Sequence, residues 1–500
     1  MSRSPAPAAS SIPGDLPPEA FRLTLAVAFL VTAIRLLVNS NEFYPLHGDE
    51  AQYWLWAQSL EFGYYSKPPL VAWLIAATTG LLGDREFAVR LASPLLHLGT
   101  SLLIFGIAAR LHSRRAGLWA SLLYLTLPGV SWSSLLISTD PALLFAWALM
   151  LYAVVRATQS GPAGLRWWLL GGVALGIGLL AKYAMLYAVA GLALWLVINR
   201  RDLLKSPGPW ILLAVGLLIL SPNILWNMQN GAVTLAHTAD NADLGNGAKF
   251  NPAKLGDFLA GQLAVFGPLS FPALVGLLLL RGRRLAAGQT SLLLWLVLPP
   301  LVLMTGLSIV TRANANWAAA SYVGGSILLA MALVESRFRW VVPVSIALHV
   351  AVMGIGYSYH DLARLAGIEI PFEKDPTRRF QGGRVIGRAV ANVLNERGQP
   401  VLMTDQRLLF AQLAYYARPR RQVQWDGNGR TDNQFEMQAP ASSVPDAPIL
   451  FVTRWENSEA PARYREHERI GSIIVPQGKN QQEVFYLFML RGLTEPPARQ

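Results

Sequence analysis

The chain contains no cysteine. That excludes disulfides, thiolate metal ligands and thiol nucleophiles, and leaves the redox compartment open. Charge is scarce as well: 14% of the 500 residues are Asp, Glu, Lys or Arg, against about 25% in an ordinary soluble domain. The few histidines stand at no zinc-binding spacing, and neither a phosphate-cradling glycine loop, a Ser-His-Asp pattern nor an internal repeat is visible. What is abundant is apolar surface. Hydrophobic residues make up 53% of the chain, gathered between 21 and 357 in long runs separated by short basic loops. The net charge of +12 would suggest nucleic acid in a soluble protein. Here the arginines flank apolar runs, where they set topology and meet anionic lipid headgroups. No nucleic-acid partner is expected.

A helix needs about 20 apolar residues to cross the hydrocarbon core. The runs at 21–39, 87–109, 117–136, 141–156, 167–181, 183–198, 209–227, 258–280, 290–310, 316–334 and 340–357 therefore predict about eleven membrane helices, several interrupted by proline. With eleven spans the basic loops all fall on one side: Arg110 to Arg115, Arg156 to Arg166, Arg200 to Lys205, Arg281 to Arg284, and Arg337 to Arg339. The positive-inside rule makes that side cytoplasmic, so the N-terminus is expected inside a bacterial inner membrane and the C-terminal part in the periplasm. Residues 1–20, rich in Pro, Ala and Ser, read as a disordered tail. The run from Phe21 carries Arg35 and ends in no small-residue cleavage site, so it reads as an uncleaved anchor.

From 358 to 500 helical and extended patterns alternate. Arg384–Arg397 and Arg407–Ala417 have helical spacing, while Val401–Thr404, Ile449–Arg454, Ile470–Val475 and Val484–Leu490 are β-rich. The expected fold class is an all-α polytopic membrane bundle over 21–357, with interfacial helices in its first outer loop, plus a small α/β domain over 358–500.

Polar residues collect in 40–86, where residues 41–86 read NEFYPLHGDEAQYWLWAQSLEFGYYSKPPLVAWLIAATTGLLGDRE. Asp49 to Phe62 has helical spacing with Trp54 and Trp56 among its aromatics, which suits a helix lying at the membrane interface. Asp49 and Glu50 sit near that helix's positive end. Lys67 precedes Pro68-Pro69, a stiff element that fixes where the lysine points. The bland alternative is a capping aspartate and a lysine resting on phospholipid. Asp140, in Ser-Thr-Asp-Pro, is equally suited to cap a helix or to face a cavity. Lys182, between two apolar segments, either snorkels or meets a polar cavity. Arg312, Asn316 and Trp317 put charge, amide and aromatic groups on one outer loop. The adjacent acids admit a divalent cation, but on a helix Glu50 points about 100° away from Asp49, and no metal or other cofactor is expected.

The string His-Gly-Asp-Glu-Ala-Gln-Tyr-Trp followed by Tyr-Tyr-Ser-Lys-Pro-Pro-Leu resembles the first periplasmic loop of the polyprenol-dependent GT-C glycosyltransferases, which include the aminoarabinose transferases and protein O-mannosyltransferases. Further likenesses follow in order: ISTDPALLFAW at 137–147, GLLAKY at 178–183, SPNILWN at 221–227 and RANANWAAASY at 312–322. The resemblance covers about 21–335 and loosens from 358, where only TDQRLLFAQLAYYAR at 404–418 is similar. It implies transfer of a monosaccharide, with inversion, from a polyprenyl-phosphate carrier to lipid A, lipopolysaccharide, another envelope glycan or a protein on the periplasmic face, by a monomeric enzyme. Carried onto this chain, it makes Asp49, with Glu50 beside it, the catalytic carboxylate. Such a base is worth about 10²–10⁴ in rate. Lys67 would hold the carrier phosphate, and Tyr53, Tyr64 and Tyr65 would bond that phosphate or stack on the sugar. Asp140, Lys182, Arg312, Asn316 and Trp317 would complete donor binding. Aminoarabinose transferases carry an arginine just before the residue matching Tyr53; here it is Gln52. The competing class is a transporter or flippase of lipid-linked sugars, which predicts paired broken helices and midplane charges.

Overall fold

The computed structural model describes residues 19–41, 44–240, 250–311, 313–476 and 481–494. The expected disordered tail at 1–20 therefore lies, but for two residues, outside the described residues. All eleven apolar runs are helical. Among the described residues, five helices are long and apolar enough to cross a membrane: Glu19–Ser40, Glu86–Leu111, Thr139–Gln159, Gly208–Gln229 and Ser291–Val310. Two bent pairs bring this to as many as seven, and four apolar helices are shorter, Leu70–Leu82, Leu165–Ala181, Tyr183–Asn199 and Ser321–Leu333. One run expected to be a single span, 258–280, is instead two helices, Pro252–Phe266 and Ser270–Ala287, meeting at 109°. The break falls at Gly267, whose φ of 103° is open to glycine alone, followed by Pro268, which has no N–H to continue a helix.

Breaks inside a membrane free carbonyls that must find donors. The run at 117–136 breaks between Arg114–Thr126 and Pro128–Ser133. Arg35 of the first helix, fully buried, supplies the donor there: its Nη2 reaches the Leu125 carbonyl at 2.6 Å and Ser131 Oγ at 3.2 Å. The centre of the bundle is helix Thr139–Gln159, with Trp147, Met150 and Leu151 wholly buried. It packs between Glu86–Leu111 and Leu165–Ala181, against which Gly208–Gln229 lies in turn. By this connectivity the basic loops sit at one end of the helices, and Asp140, Lys182 and Asn316 at the other.

The C-terminal part folds around a five-stranded sheet. Its strands are β1 (Val401–Thr404), β2 (Gln422–Gln424), β3 (Ile449–Thr453), β4 (Tyr464–Pro476) and β5 (Gln482–Leu493), in the order β2-β1-β3-β5-β4. β2, β1 and β3 run parallel, and β5 and β4 complete the sheet antiparallel. Strand side chains alternate between faces. Leu402, Leu450 and Val452 pack under helices Gly383–Glu396 and Arg407–Tyr416, while Met403, Ile449 and Phe451 form a second core with Tyr464 and Trp425. Helix Arg407–Tyr416 is apolar on two sides. Leu409 and Leu413 face the sheet; Phe410, Ala411, Ala414 and Tyr415 join a core with Leu46, Tyr53, Trp54 and Trp56 of the first outer segment.

That shared core is pinned by charge. Arg384 bridges to Glu86 at 2.6 Å and Arg418 to Asp84 at 3.1 Å. The Tyr416 hydroxyl donates to Glu86 at 2.7 Å and accepts from the Leu46 N–H at 2.6 Å. The α/β unit is thus docked directly onto the interfacial segment.

Candidate functional site

The interfacial helix spans Gly48–Ala57 and is capped by His47, whose Nδ1 accepts from the Asp49 N–H at 3.2 Å. Glu50 closes the capping box by accepting from the His47 N–H at 2.9 Å. It also receives Arg90 at 2.7 Å and the Ile137 N–H at 3.0 Å, and it is buried. Its lone pairs are spent on structure, so the geometry gives Glu50 the task of holding the helix rather than the reactive role the adjacent acids suggested. Asp49, one position earlier, faces a cavity with its side chain 44% exposed. Arg407 approaches it from the α/β unit at 3.4 Å and donates to Gln52 as well.

Glu61 to Pro69 form the loop that carries Lys67. Tyr64 is wholly buried, stacked on Trp56 with ring centroids 4.5 Å apart. Its hydroxyl donates to the Trp56 carbonyl at 3.0 Å, and burial pushes its pKa up to about 12. Tyr65 turns to the α/β unit, its hydroxyl donating to the Thr431 carbonyl at 2.9 Å and its N–H to Gln434 at 2.6 Å. Neither tyrosine is therefore placed as a phosphate ligand; both position the loop. The asparagine and tryptophan of SPNILWN do the same from outside: Asn223 donates to the Phe62 carbonyl at 2.6 Å and Trp226 to Glu61 at 3.1 Å. Lys67, so fixed, has its pKa lowered, first by burial and then by the Lys182 ammonium, with Asp140 and Asp49 opposing. Tyr53 is buried between these groups, its hydroxyl pushed up by burial and then by Asp49.

Asp140, Lys182 and Asn316 come together. Lys182 Nζ meets Asp140 Oδ1 at 2.6 Å, and Asn316 donates to Oδ2 at 2.7 Å. Ser138, not Asp140, caps helix Thr139–Gln159, which leaves Asp140 free for this cluster. Lys182 does not snorkel away: with Lys67, Tyr183, Tyr187 and Trp317 it lines a cavity of about 340 Å³. Arg312 lies outside the described residues. Asp49 and Arg407 line another cavity, of about 1120 Å³, with Arg378, Arg379 and Arg454. Asp49 and Lys67 thus open into different cavities, although Asp49 as well as Asp140 opposes the lowering of the Lys67 pKa. Arg407 is the site residue that the sequence reading passed over. It sits inside the 404–418 string, which stood out for its helical spacing and a loose likeness to the family but not for any one residue. Among the described residues, no group of three or more His, Asp or Glu could hold a metal ion.

Two half-buried lysines, a carboxylate beside one and a half-exposed carboxylate nearby can neutralise a phosphate and accept a proton. Residues 66–226 match the family model described as dolichyl-phosphate-mannose-protein mannosyltransferase. The chain is 34% identical over 442 residues to the lipid A galacturonosyltransferase RgtD of Rhizobium johnstonii, covering 86% of this chain and 90% of that one. It is 31% identical to the lipopolysaccharide core galacturonosyltransferase RgtA of the same organism over 43% of each. In fold it is similar to ArnT from Cupriavidus metallidurans bound to undecaprenyl phosphate, with a TM-score of 0.62, 16% identity, and coverage of 93% and 97%. The chain belongs to the GT-C glycosyltransferases of the aminoarabinose-transferase type, the family that contains these galacturonosyltransferases.

Proposed function

We propose that this protein transfers galacturonic acid from a polyprenyl-phosphate carrier to lipid A or a related envelope glycolipid. The observation that carries the reading is the meeting of Lys67 with the Asp140–Lys182–Asn316 cluster beside a cavity, within the field of the half-exposed Asp49. The acceptor hydroxyl attacks the anomeric carbon while Asp49 takes its proton. The sugar–phosphate bond breaks on the opposite face, so the configuration inverts, and polyprenyl phosphate leaves with the electron pair. Lys67 and Lys182 neutralise the charge that grows on the leaving phosphate. No divalent cation is required in this scheme, because two ammonium groups take its place.

The galacturonosyltransferase names of the relatives support the choice of sugar, and the ArnT complex with undecaprenyl phosphate supports the carrier. The basic loops at the far end of the helices support an inner-membrane orientation with the site and the α/β unit in the periplasm. The test is transfer by the full-length protein in lipid vesicles, from undecaprenyl-phosphate galacturonate to lipid A, read by the mass increment of the product. Asp49→Asn should lower the rate by about 10²–10⁴ with expression unchanged, and EDTA should leave the wild-type rate as it was. An Asp49→Asn protein with full activity would remove this carboxylate from the mechanism.

A further inference from the structure

Of the larger cavity's lining, the transfer chemistry just described uses only Asp49, and the residues around it are strongly basic. Four arginines, Arg378, Arg379, Arg407 and Arg454, face it with two carboxylates, Asp49 and Glu483. Arg454 is paired with Glu483 at 2.8 Å. Arg407 engages Asp49 and Gln52 through Nη1 alone. Among the described residues its Nε and Nη2 have no partner, and neither has the Arg379 guanidinium. Unspent guanidinium donors in a fork geometry match a carboxylate or phosphate.

The position in the fold points the same way. Arg407 follows β1 and Arg454 follows β3, so both lie at the carboxyl ends of the parallel strands. That edge is where open α/β sheets place their ligands. Here it is turned toward the interfacial helix, and a Cβ added at Gly48 would lie 2.7 Å from Leu408. The absence of a side chain there lets helix Arg407–Tyr416 approach close enough for Arg407 to reach Asp49.

We infer that Arg407, supplied by the α/β unit, is the specificity residue for the donor sugar, its free guanidinium edge binding the carboxylate of a uronic acid next to the catalytic Asp49. This rests on the uronosyl reading above and deepens it. Gln52 and Asp49 hold Nη1, so the guanidinium is oriented before the substrate arrives. The remaining edge presents two parallel N–H groups to the sugar carboxylate. A neutral hexose in the same place would leave this charge facing a hydroxymethyl group.

The experiment compares kcat/KM of wild-type, Arg407→Gln and Arg407→Lys full-length proteins in vesicles, using undecaprenyl-phosphate galacturonate and undecaprenyl-phosphate galactose as alternative donors. A lost charge-assisted pair is worth about 10–100-fold. Arg407→Gln should lose that much with the galacturonate donor and little with galactose, and Arg407→Lys should recover part of the discrimination. Equal loss on both donors would make Arg407 merely structural and overturn the inference. So would an unchanged donor ratio with a raised KM for the phosphorylated acceptor, which would assign the arginine to an acceptor phosphate. Wild-type protein inactive with galacturonate would sink the uronosyl reading and this inference together. An active wild type with equally selective variants sinks only the role of Arg407.

Discussion

Lys67 is held where an ammonium is least comfortable, half-buried and beside a second lysine. Because burial and Lys182 lower its pKa from the ordinary 10.5, the charge that would hold a phosphate is lost as pH rises through a value below that of a free lysine. The alkaline limb of kcat/KM should therefore fall below pH 10.5. Lys182→Met removes a repelling charge and frees Asp140, so it should move that limb upward in whatever activity remains. A limb that stays in place would detach Lys67 from the reaction. Asp49 and Glu50 show how far single residues were legible. As neighbours in the chain they looked alike, and only the turn of a helix separates them, one facing a cavity and the other Arg90. The partner Arg90, 40 positions away, carried no local signal. Tyr64 and Tyr65 likewise stood beside a promising lysine, and their hydrogen bonds to Trp56 and Thr431 became visible only in three dimensions.

At the scale of the element, the interfacial helix is only 10 residues long, too short to be stable alone. Its hold is the Glu50–Arg90 pair, with side chains 3% and 4% exposed. Glu50→Ala leaves the guanidinium buried and uncompensated, which costs about 3–5 kcal/mol. A lowered thermal midpoint for Glu50→Ala but not for Asp49→Asn would separate the two acids by their work, and equal midpoints would refute this division. Most elements could be read in advance because their signal is periodic and local. The apolar runs gave helices, and Val401–Thr404 and Ile449–Thr453 gave strands. β2, three residues of Gln422–Gln424, was too short and polar to register. The 109° bend was hidden because a glycine and a proline in an apolar run are also tolerated inside a span.

Across the whole molecule, the short helix Gln434–Gln438 joins the α/β unit to the Tyr65 backbone through Gln434. Glu436 lies in that helix, its pKa pushed up to about 7 by burial, with Asp426 and Asp432 adding to the shift. The folded state therefore holds this proton more tightly than the unfolded chain does, and its contribution to stability fades as pH rises from about 4.5 to about 7. Glu436→Gln, which mimics the protonated acid, should raise the thermal midpoint at pH 8 and change it little at pH 4. A gain of the same size at both pH values would show that ionisation is not the cause. Docking of the α/β unit on the bundle could not be read from sequence, since it depends on Glu86 with Arg384 and Asp84 with Arg418, residues some 300 positions apart.

The Asp49–Arg407 contact spans 358 positions of chain. During biosynthesis the first half of the site is inserted long before the second half leaves the ribosome. The bundle can settle in the bilayer, but its charged pocket stays unfinished until residues beyond β1 have been made and folded. The pocket is thereby tied to a completed chain, and a nascent chain still on the ribosome has no assembled centre with which to consume lipid-linked sugar.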